Sequence, residues 1–395
     1  MRAPLPPADV ADLGLCPTRV RHLVDMFQAD VNNGRLPGAV LVLARHGRIA
    51  LMEAIGKLDP ARSTPMAVDA IFRIYSMTKP IVSVAVMMLI EQGRLKLADP
   101  VGLHLPEFVQ QQVAVPTPGG VTLRPVQRAA TVQDLLRHTA GLTYEFLGDS
   151  PVQQQYRDTS IGSRQRSSAE FSQALASLPL MFEPGSVWAY SRATDVLGRL
   201  IEVVTGQTLA DHLQQAILTP LGMSDTAFVV PEADHPRIAE AFDKDPDGGI
   251  SMRLIDPRET PTLHSGGGGL MSTAADYARF LQFLLNKGEL GGVRLLGPRT
   301  VDFMTADHLG AIPGNDPSLL PPGHGFGLGF AVRTAAGLAP MPGSVGTLHW
   351  SGIGGTSFFV DPAEQLFGIL LAQAPNQREH YRAVFRTLVY AALVD

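Results

Sequence analysis

The segment Ile74-Tyr75-Ser76-Met77-Thr78-Lys79-Pro80 sets a serine and a lysine three residues apart, just before an apolar run from Ile81 to Ile90 broken only by Ser83. A run that apolar predicts a helix buried on every side. Pro80 has no amide hydrogen and is tolerated only in a helix's first turn, so this helix must begin close to Ser76. Ser76 and Lys79, at i and i+3, then share a face. At a helix start the serine hydroxyl meets unpaired N–H groups and the positive end of the dipole, both favourable to an attacking oxyanion. A lysine one turn on, beside buried residues, can lose its proton or hold a neighbour ionised. The chemistry on offer is nucleophilic attack by an activated serine. The plainer reading makes Ser76 a cap and Lys79 a surface residue, and Ser-x-x-Lys by itself does not separate the two.

Two further segments carry weight for the chemical reading. Phe182-Glu-Pro-Gly-Ser-Val-Trp188-Ala-Tyr190-Ser191-Arg192 reads as a turn followed by a helix with Ser191 as its N-cap. Tyr190, like Ser76, thus projects from a helix start. Leu348-His349-Trp350-Ser351-Gly352-Ile353-Gly-Gly-Thr-Ser-Phe-Phe-Val reads as strand, turn, strand. An edge strand beside a pocket can lend a backbone N–H to an oxyanion. Other groups are weaker. Gly148-Asp149-Ser150 sits in a polar stretch with no strand before it, where an esterase nucleophile elbow would need one. His264-Ser265-Gly-Gly-Gly-Gly reads as a tight turn before a helix at Ala274. His138 reads as a buried histidine held by hydrogen bonds, and His349 should alternate away from Trp350. No phosphate loop, dinucleotide fingerprint or His-Glu-x-x-His is present.

The elements that must position these residues fall into two styles. Pro17 to Asn32 has helical spacing, and Gly38 to Ala44 with Ile49 to Ala54 reads as a hairpin across Arg45-His-Gly-Arg48. Short strands recur at Gly327 to Val332, Gly346 to Trp350, Ser357 to Val360 and Leu366 to Ala372, before a last helix from Tyr381 to Val394. The middle is helical instead, at Val132 to Arg137, Ser168 to Ser177, Arg192 to Thr205, Thr208 to Ile217 and Ala274 to Asn286. The stretches Gln110 to Ala130, Glu145 to Arg166 and Pro231 to Leu263 read as long irregular segments, of the kind that shape binding sites. Strands at both ends with helices between predict one sheet drawn from both ends of the chain, with an inserted helical region.

Composition limits the partners. The 395 residues are 45% hydrophobic and 17% charged, enough for one large core or two joined ones and far from a disordered chain. A formal net charge of −5 leaves no basic surplus for nucleic acid or an anionic membrane. The single cysteine, Cys16, excludes an internal disulfide and argues against a cysteine-built zinc site. Prolines and acids stand at the N-terminus where a secretory signal needs an apolar run, and no apolar run approaches the roughly 20 residues of a membrane span. The expected location is therefore the cytoplasm.

The three chemistry-bearing segments, in this order, resemble those of the penicillin-recognising serine hydrolases, which include class C β-lactamases, D,D-carboxypeptidases and family VIII carboxylesterases. The resemblance extends through Leu135-Leu-Arg-His138-Thr-Ala-Gly-Leu142, Pro220-Leu-Gly-Met223 and Ser265 to Thr273. It implies an α/β (α+β) fold like that of class C β-lactamases: an antiparallel sheet flanked by helices, from about residues 1–94 and 264–395, around a mainly helical insert of about 95–263. Two departures matter. Trp350-Ser351-Gly352 puts an indole where a lysine or histidine would hold a β-lactam carboxylate, and Arg192 replaces an asparagine amide. The tryptophan is similar to family VIII carboxylesterases. By that resemblance Ser76 is the nucleophile, Lys79 and Tyr190 share a proton network in which either is the base, and the amides of Ser76 and Ile353 form the oxyanion hole. Trp350, Ser351, Gly352, Tyr144, Phe146, Trp188 and Arg192 would line the substrate pocket. The implied activity is hydrolysis of small short-chain acyl esters through an acyl-enzyme, without metal or organic cofactor. A β-lactamase, a D-amino-acid peptidase and an acyltransferase are alternatives on the same fold. A catalytically silent penicillin-binding sensor is an alternative of another class, disfavoured by the intact Ser76, Lys79 and Tyr190.

Overall fold

In the computed structural model, which describes residues 5–118, 120–249 and 252–394, helix α1 (Pro17–Asn32) opens on a proline whose missing N–H costs nothing in a first turn. Residues 1–4, where the N-terminal targeting reading begins, lie outside the described residues. Strands β1 (Gly38–Arg45) and β2 (Arg48–Asp59) form the expected hairpin across His46 and Gly47, whose φ values of 52° and 76° suit a two-residue turn. Strand β3 (Thr64–Pro65) flanks β2. The remaining strands come from the other end of the sequence: β4 (His324–Phe326), β5 (Ala331–Arg333), β6 (Leu348–Ser351), β7 (Ser357–Asp361) and β8 (Leu366–Ala372). The order β4-β5-β6-β7-β8-β1-β2-β3 is antiparallel throughout, with Ala39 opposite Ala372 at the join between the two ends.

Both faces of this sheet are covered, which is why all eight residues of β1 are buried. Its period of two sends Val40, Val42 and Ala44 into one core and Ala39, Leu41 and Leu43 into the other. The second core is closed by α1 and the C-terminal helix, Arg378–Ala392, with the rings of Phe27 and Tyr381 5.5 Å apart. The first holds α2 (Thr78–Glu91), α3 (Ala193–Thr205) and α4 (Ala274–Leu285); the C-terminal helix is α5. No helix among the described residues is long and apolar enough to cross a membrane.

Several local expectations are corrected. Gln112–Thr117 and Gly120–Pro125 pair as a hairpin inside a stretch expected to be irregular; its exposure has no period of two, so no alternation announces it. Pro151–Asp158 is a helix inside another such stretch. Its N-cap is Ser150, whose Oγ accepts the Gln153 N–H at 3.2 Å while the Gln153 side chain accepts the Ser150 N–H at 3.0 Å. Gly148-Asp149-Ser150 is thus a capping box. The strand expected over Gly327 to Val332 is interrupted, because Gly329 turns at φ 105° and rests on α2, where a Cβ would lie 2.4 Å from Ser83 Oγ. Ser191 does not cap α3: Arg192 occupies that position, and the Ser191 hydroxyl sits 3.2 Å from His138 Nδ1.

Candidate active site

Ser76 lies in a single tight turn, Tyr75–Met77, that runs directly into α2, with Pro80 as the helix's third residue. The turn is pinned from both sides: Tyr277 donates to the Met77 carbonyl at 2.9 Å, and Thr78 Oγ1 accepts the Leu270 N–H at 3.1 Å. Tyr75 is held at φ 44°, a left-handed conformation that strains a bulky residue and aims the next one outward. The amide of Ser76 and that of Ile353, in the turn between β6 and β7, donate to no carbonyl among the described residues. Both residues line the same cavity, of about 1060 Å³. Arg382 on α5 donates at 2.8 Å to the carbonyl of Gly352, the other end of the peptide unit that carries the Ile353 N–H.

Lys79 is 1% exposed. Its Nζ donates to Ser76 Oγ at 3.1 Å, to the Tyr144 phenol at 2.9 Å and to the Gly267 carbonyl at 2.6 Å. Burial drives its pKa down to about 7, with Asp195 acting against that shift and Arg192 with it. Two of these partners were missed as such. Tyr144 was expected only as pocket wall, and the glycine run only as a turn. The run does turn, but it also brings Gly267 to the amine: Asp195 Oδ1 accepts the Gly267 N–H at 2.9 Å and the Ser265 hydroxyl as well. A Cβ on Gly267 would sit 2.7 Å from Asp195 Oδ2, so only glycine lets the loop close this far. Four consecutive glycines beside a serine were the available signal.

Tyr190 stands on the other side of Ser76. Its phenol accepts the Trp350 indole N–H at 3.2 Å, and Ser76 is near enough to act on its titration. Burial raises its pKa, against the lowering effect of those two neighbours. Lys79 Nζ lies 4.6 Å from the centre of the Tyr190 ring, a cation over a face, and no hydrogen bond joins Lys79 directly to the Tyr190 hydroxyl. Of the two, Lys79 is the one with a hydrogen bond to the Ser76 hydroxyl.

The pocket residues divide. Trp350, Ser351, Tyr144 and Arg192 line the cavity, and Phe146 does so at its rim, 54% exposed and stacked on Tyr144 at 4.8 Å. Gly352, expected in the wall, is not among the lining residues: it is packed so tightly that a Cβ would fall 2.5 Å from the Ile74 carbonyl. Trp188 does not reach the cavity. It is fully buried behind Tyr190, at 6.4 Å, with Phe326 at 5.5 Å, because residues 188 and 190 of an extended segment point the same way and the tyrosine lies outermost. Arg192 is bound by Glu145 and lies 3.6 Å from Asp195; burial opposes its charge, but those carboxylates more than restore it. His138 is buried with its pKa pushed down by burial and by Lys79, and His349 packs against His324 at 4.9 Å.

A model of the Beta-lactamase family matches residues 23–391. Esterase EstB of Burkholderia gladioli is 35% identical over 366 residues, 88% of each chain. Among solved structures, EstCE1, described as a hydrolase with promiscuous acyltransferase activity, superposes with a TM-score of 0.80 at 28% identity, covering 94% of this chain and 98% of its own. Simvastatin synthase LovD from Aspergillus terreus superposes with a TM-score of 0.75 at 26% identity over the same shares.

Proposed function

Since the chain belongs to the Beta-lactamase family, we propose that it is a serine carboxylesterase that hydrolyses short-chain acyl esters through an acyl-enzyme on Ser76. The observation that carries this reading is a buried amine, Lys79, 3.1 Å from the Ser76 hydroxyl and neutral in a large fraction of molecules near pH 7. In the first step Lys79 Nζ takes the Ser76 proton while Oγ bonds to the ester carbonyl carbon. The developing oxyanion is received by the two free amides of Ser76 and Ile353. The resulting ammonium is already surrounded by acceptors, the Tyr144 phenol and the Gly267 carbonyl. Tyr190, kept neutral by burial, steadies the departing oxygen with a hydrogen bond and keeps its own proton, while Lys79 passes that oxygen the proton taken from Ser76, so that a neutral alcohol leaves and Lys79 is again a free amine. Water then attacks the acyl carbonyl, Lys79 accepts its proton, and Ser76 Oγ departs protonated with the acid.

Esters are favoured over β-lactams at this site because the third motif has no free cation. The Trp350 N–H is engaged by Tyr190, and Arg192 is neutralised by Glu145. Leaving a lactam carboxylate unpaired costs about 1–3 kcal/mol. The name of EstB supports the same substrate class. The experiment is a comparison of kcat/KM for an aryl butyrate, a chromogenic cephalosporin and a D-Ala-D-Ala peptide on one preparation, with mass spectrometry after phosphonate treatment. The butyrate should lead and the single adduct should fall on the Ser76 peptide. A faster cephalosporin, or an adduct on Ser150, overturns the reading.

A second reading, transfer of the acyl group to an alcohol, draws on the cavity volume of about 1060 Å³, far more than a short acyl chain fills, and on the descriptions of EstCE1 and LovD. Partitioning between acid and butyl ester in the presence of butanol measures it.

A further inference from the structure

Six arginines and two glutamates line the cavity, in a chain whose formal net charge is −5. The glutamates are already committed: Glu145 to Arg192, and Glu379 to both Arg378 and Arg382. Arg386 lies in the field of Asp361 and Tyr390. Arg386 has no ion pair either, and its Nε and Nη2 are unpartnered, but it is covered by the rings of Phe359 and Tyr390. Among the described residues that leaves Arg164 and the exposed Arg253 with neither an ion pair nor a ring contact. Arg164 is the more informative. It is half-buried, and its Nε and Nη2 are closed off from solvent without any hydrogen-bond partner. A guanidinium carries five donors in a rigid fork, and buried donors are almost always satisfied. The nearest opposite charges, Asp195 and Glu259, fall short of ion-pair contact, and burial weighs against the charge.

The position is also telling. The Arg164 carbonyl accepts the Leu263 N–H at 3.2 Å, which ties together the two loop segments that wall this side of the cavity. Its guanidinium is felt by Tyr75, the residue before the nucleophile. A planar, fork-shaped cation with free donors fits a carboxylate in the bidentate manner. We infer that the cavity selects esters bearing a carboxylate remote from the scissile bond, and that Arg164 is the group that meets it. This rests on the esterase reading and deepens it by naming the substrate class. It does not restore a β-lactam site, because Arg164 lies on the loop before the helix Ser168–Ala176 and not on the third-motif strand.

The test uses two matched pairs of esters differing only in charge. The first is para-nitrophenyl monoglutarate against its glutaramate, with the charge on the acyl side. The second is para-(butyryloxy)benzoate against the benzamide, with the charge on the alcohol side. In one pair the anionic ester should have the higher kcat/KM by about tenfold, as expected for hydrogen bonds to a charged group. Arg164→Gln should bring that ratio near one, and Arg164→Lys should restore part of it. The wild-type ratios decide the preference even if a variant fails to fold. Ratios at or below one in both pairs overturn the inference while leaving the esterase reading standing. A ratio unchanged by Arg164→Gln overturns the assignment to Arg164. Failure to cleave any of the four esters defeats the esterase reading itself, and this inference with it.

Discussion

With Lys79 as the proposed base, the reaction rate becomes a titration of a buried amine. Lys79 is lowered from 10.5 to about 7, which at 1.36 kcal/mol per unit is about 5 kcal/mol of preference for the neutral form. An unshifted lysine would be neutral in about one molecule in three thousand at pH 7, against half of the molecules here. The perturbation is therefore pH. Between pH 5 and 9, kcat/KM for an aryl butyrate should rise tenfold per unit on the acid side, bend at about 7 and then level off. At pH 5 about one-hundredth of the plateau should remain. No alkaline fall is expected in that range, because burial holds Tyr190 protonated well above its ordinary titration. The assay is initial rate at constant ionic strength, read at a wavelength where the phenol and phenolate absorb equally, with a melting curve at each pH. A flat profile, or an acid limb centred above 9, would refute the assignment of Lys79 as base. The same burial has a stability consequence of definite sign. The folded pKa lies below the unfolded one, so between about 7 and 10.5 the unfolded chain binds the extra proton and stability rises with pH. Below about 7 both states are protonated and the whole penalty is felt. Lys79→Met should accordingly raise Tm at pH 6.5 while ending turnover.

Lys79→Ala and Tyr190→Phe should each lower kcat by orders of magnitude, and the double variant should be little worse than either, because both serve the same acyl transfer at Ser76; multiplying effects would show independent action. Trp350→Phe removes the donor to Tyr190 and should cost about 0.5–1.5 kcal/mol, a two- to tenfold fall in kcat, with Tm as the control. Trp188→Ala should instead destabilise the fold by about 3–5 kcal/mol, seen in chemical denaturation, because Trp188 packs behind the site and does not touch the cavity.

The parts of this molecule legible in its sequence are those governed by local rules. Pro80 after Ser76-x-x-Lys79 located the helix start, and alternating or continuous apolar runs located β1, β2, β7 and β8. The hairpin at 112–125 escaped because it is largely exposed and lacks an alternating face. The helix at Pro151 is legible only through its capping box, Ser150 with Gln153, because the residues that follow are mostly polar. At the site, the residue types were readable but the wiring was not. Gly267 reaches Lys79 across 188 positions and Arg382 reaches Gly352 from another helix, and no spacing rule encodes such contacts. Trp188 and Tyr190 look equivalent in sequence. Depth alone distinguishes them, and depth is a property of the assembled core.

The central join of the sheet has a consequence for how the chain is made. Strand β1 is apolar toward both faces, and its partner on one side, β8, follows more than three hundred residues later, Ala39 opposite Ala372. During synthesis that edge emerges long before the strand that covers it, and unpaired edges of this kind invite association with other chains. Pairings so distant in sequence also form slowly. The same delay applies to the chemistry: the turn bearing Ser76 and Lys79 is translated early, whereas Ile353 and the arginine behind its peptide come from the far end. Under the proposed mechanism, a nascent chain exposes Ser76 before it can stabilise a tetrahedral intermediate, and the site is complete only with the closing of the sheet.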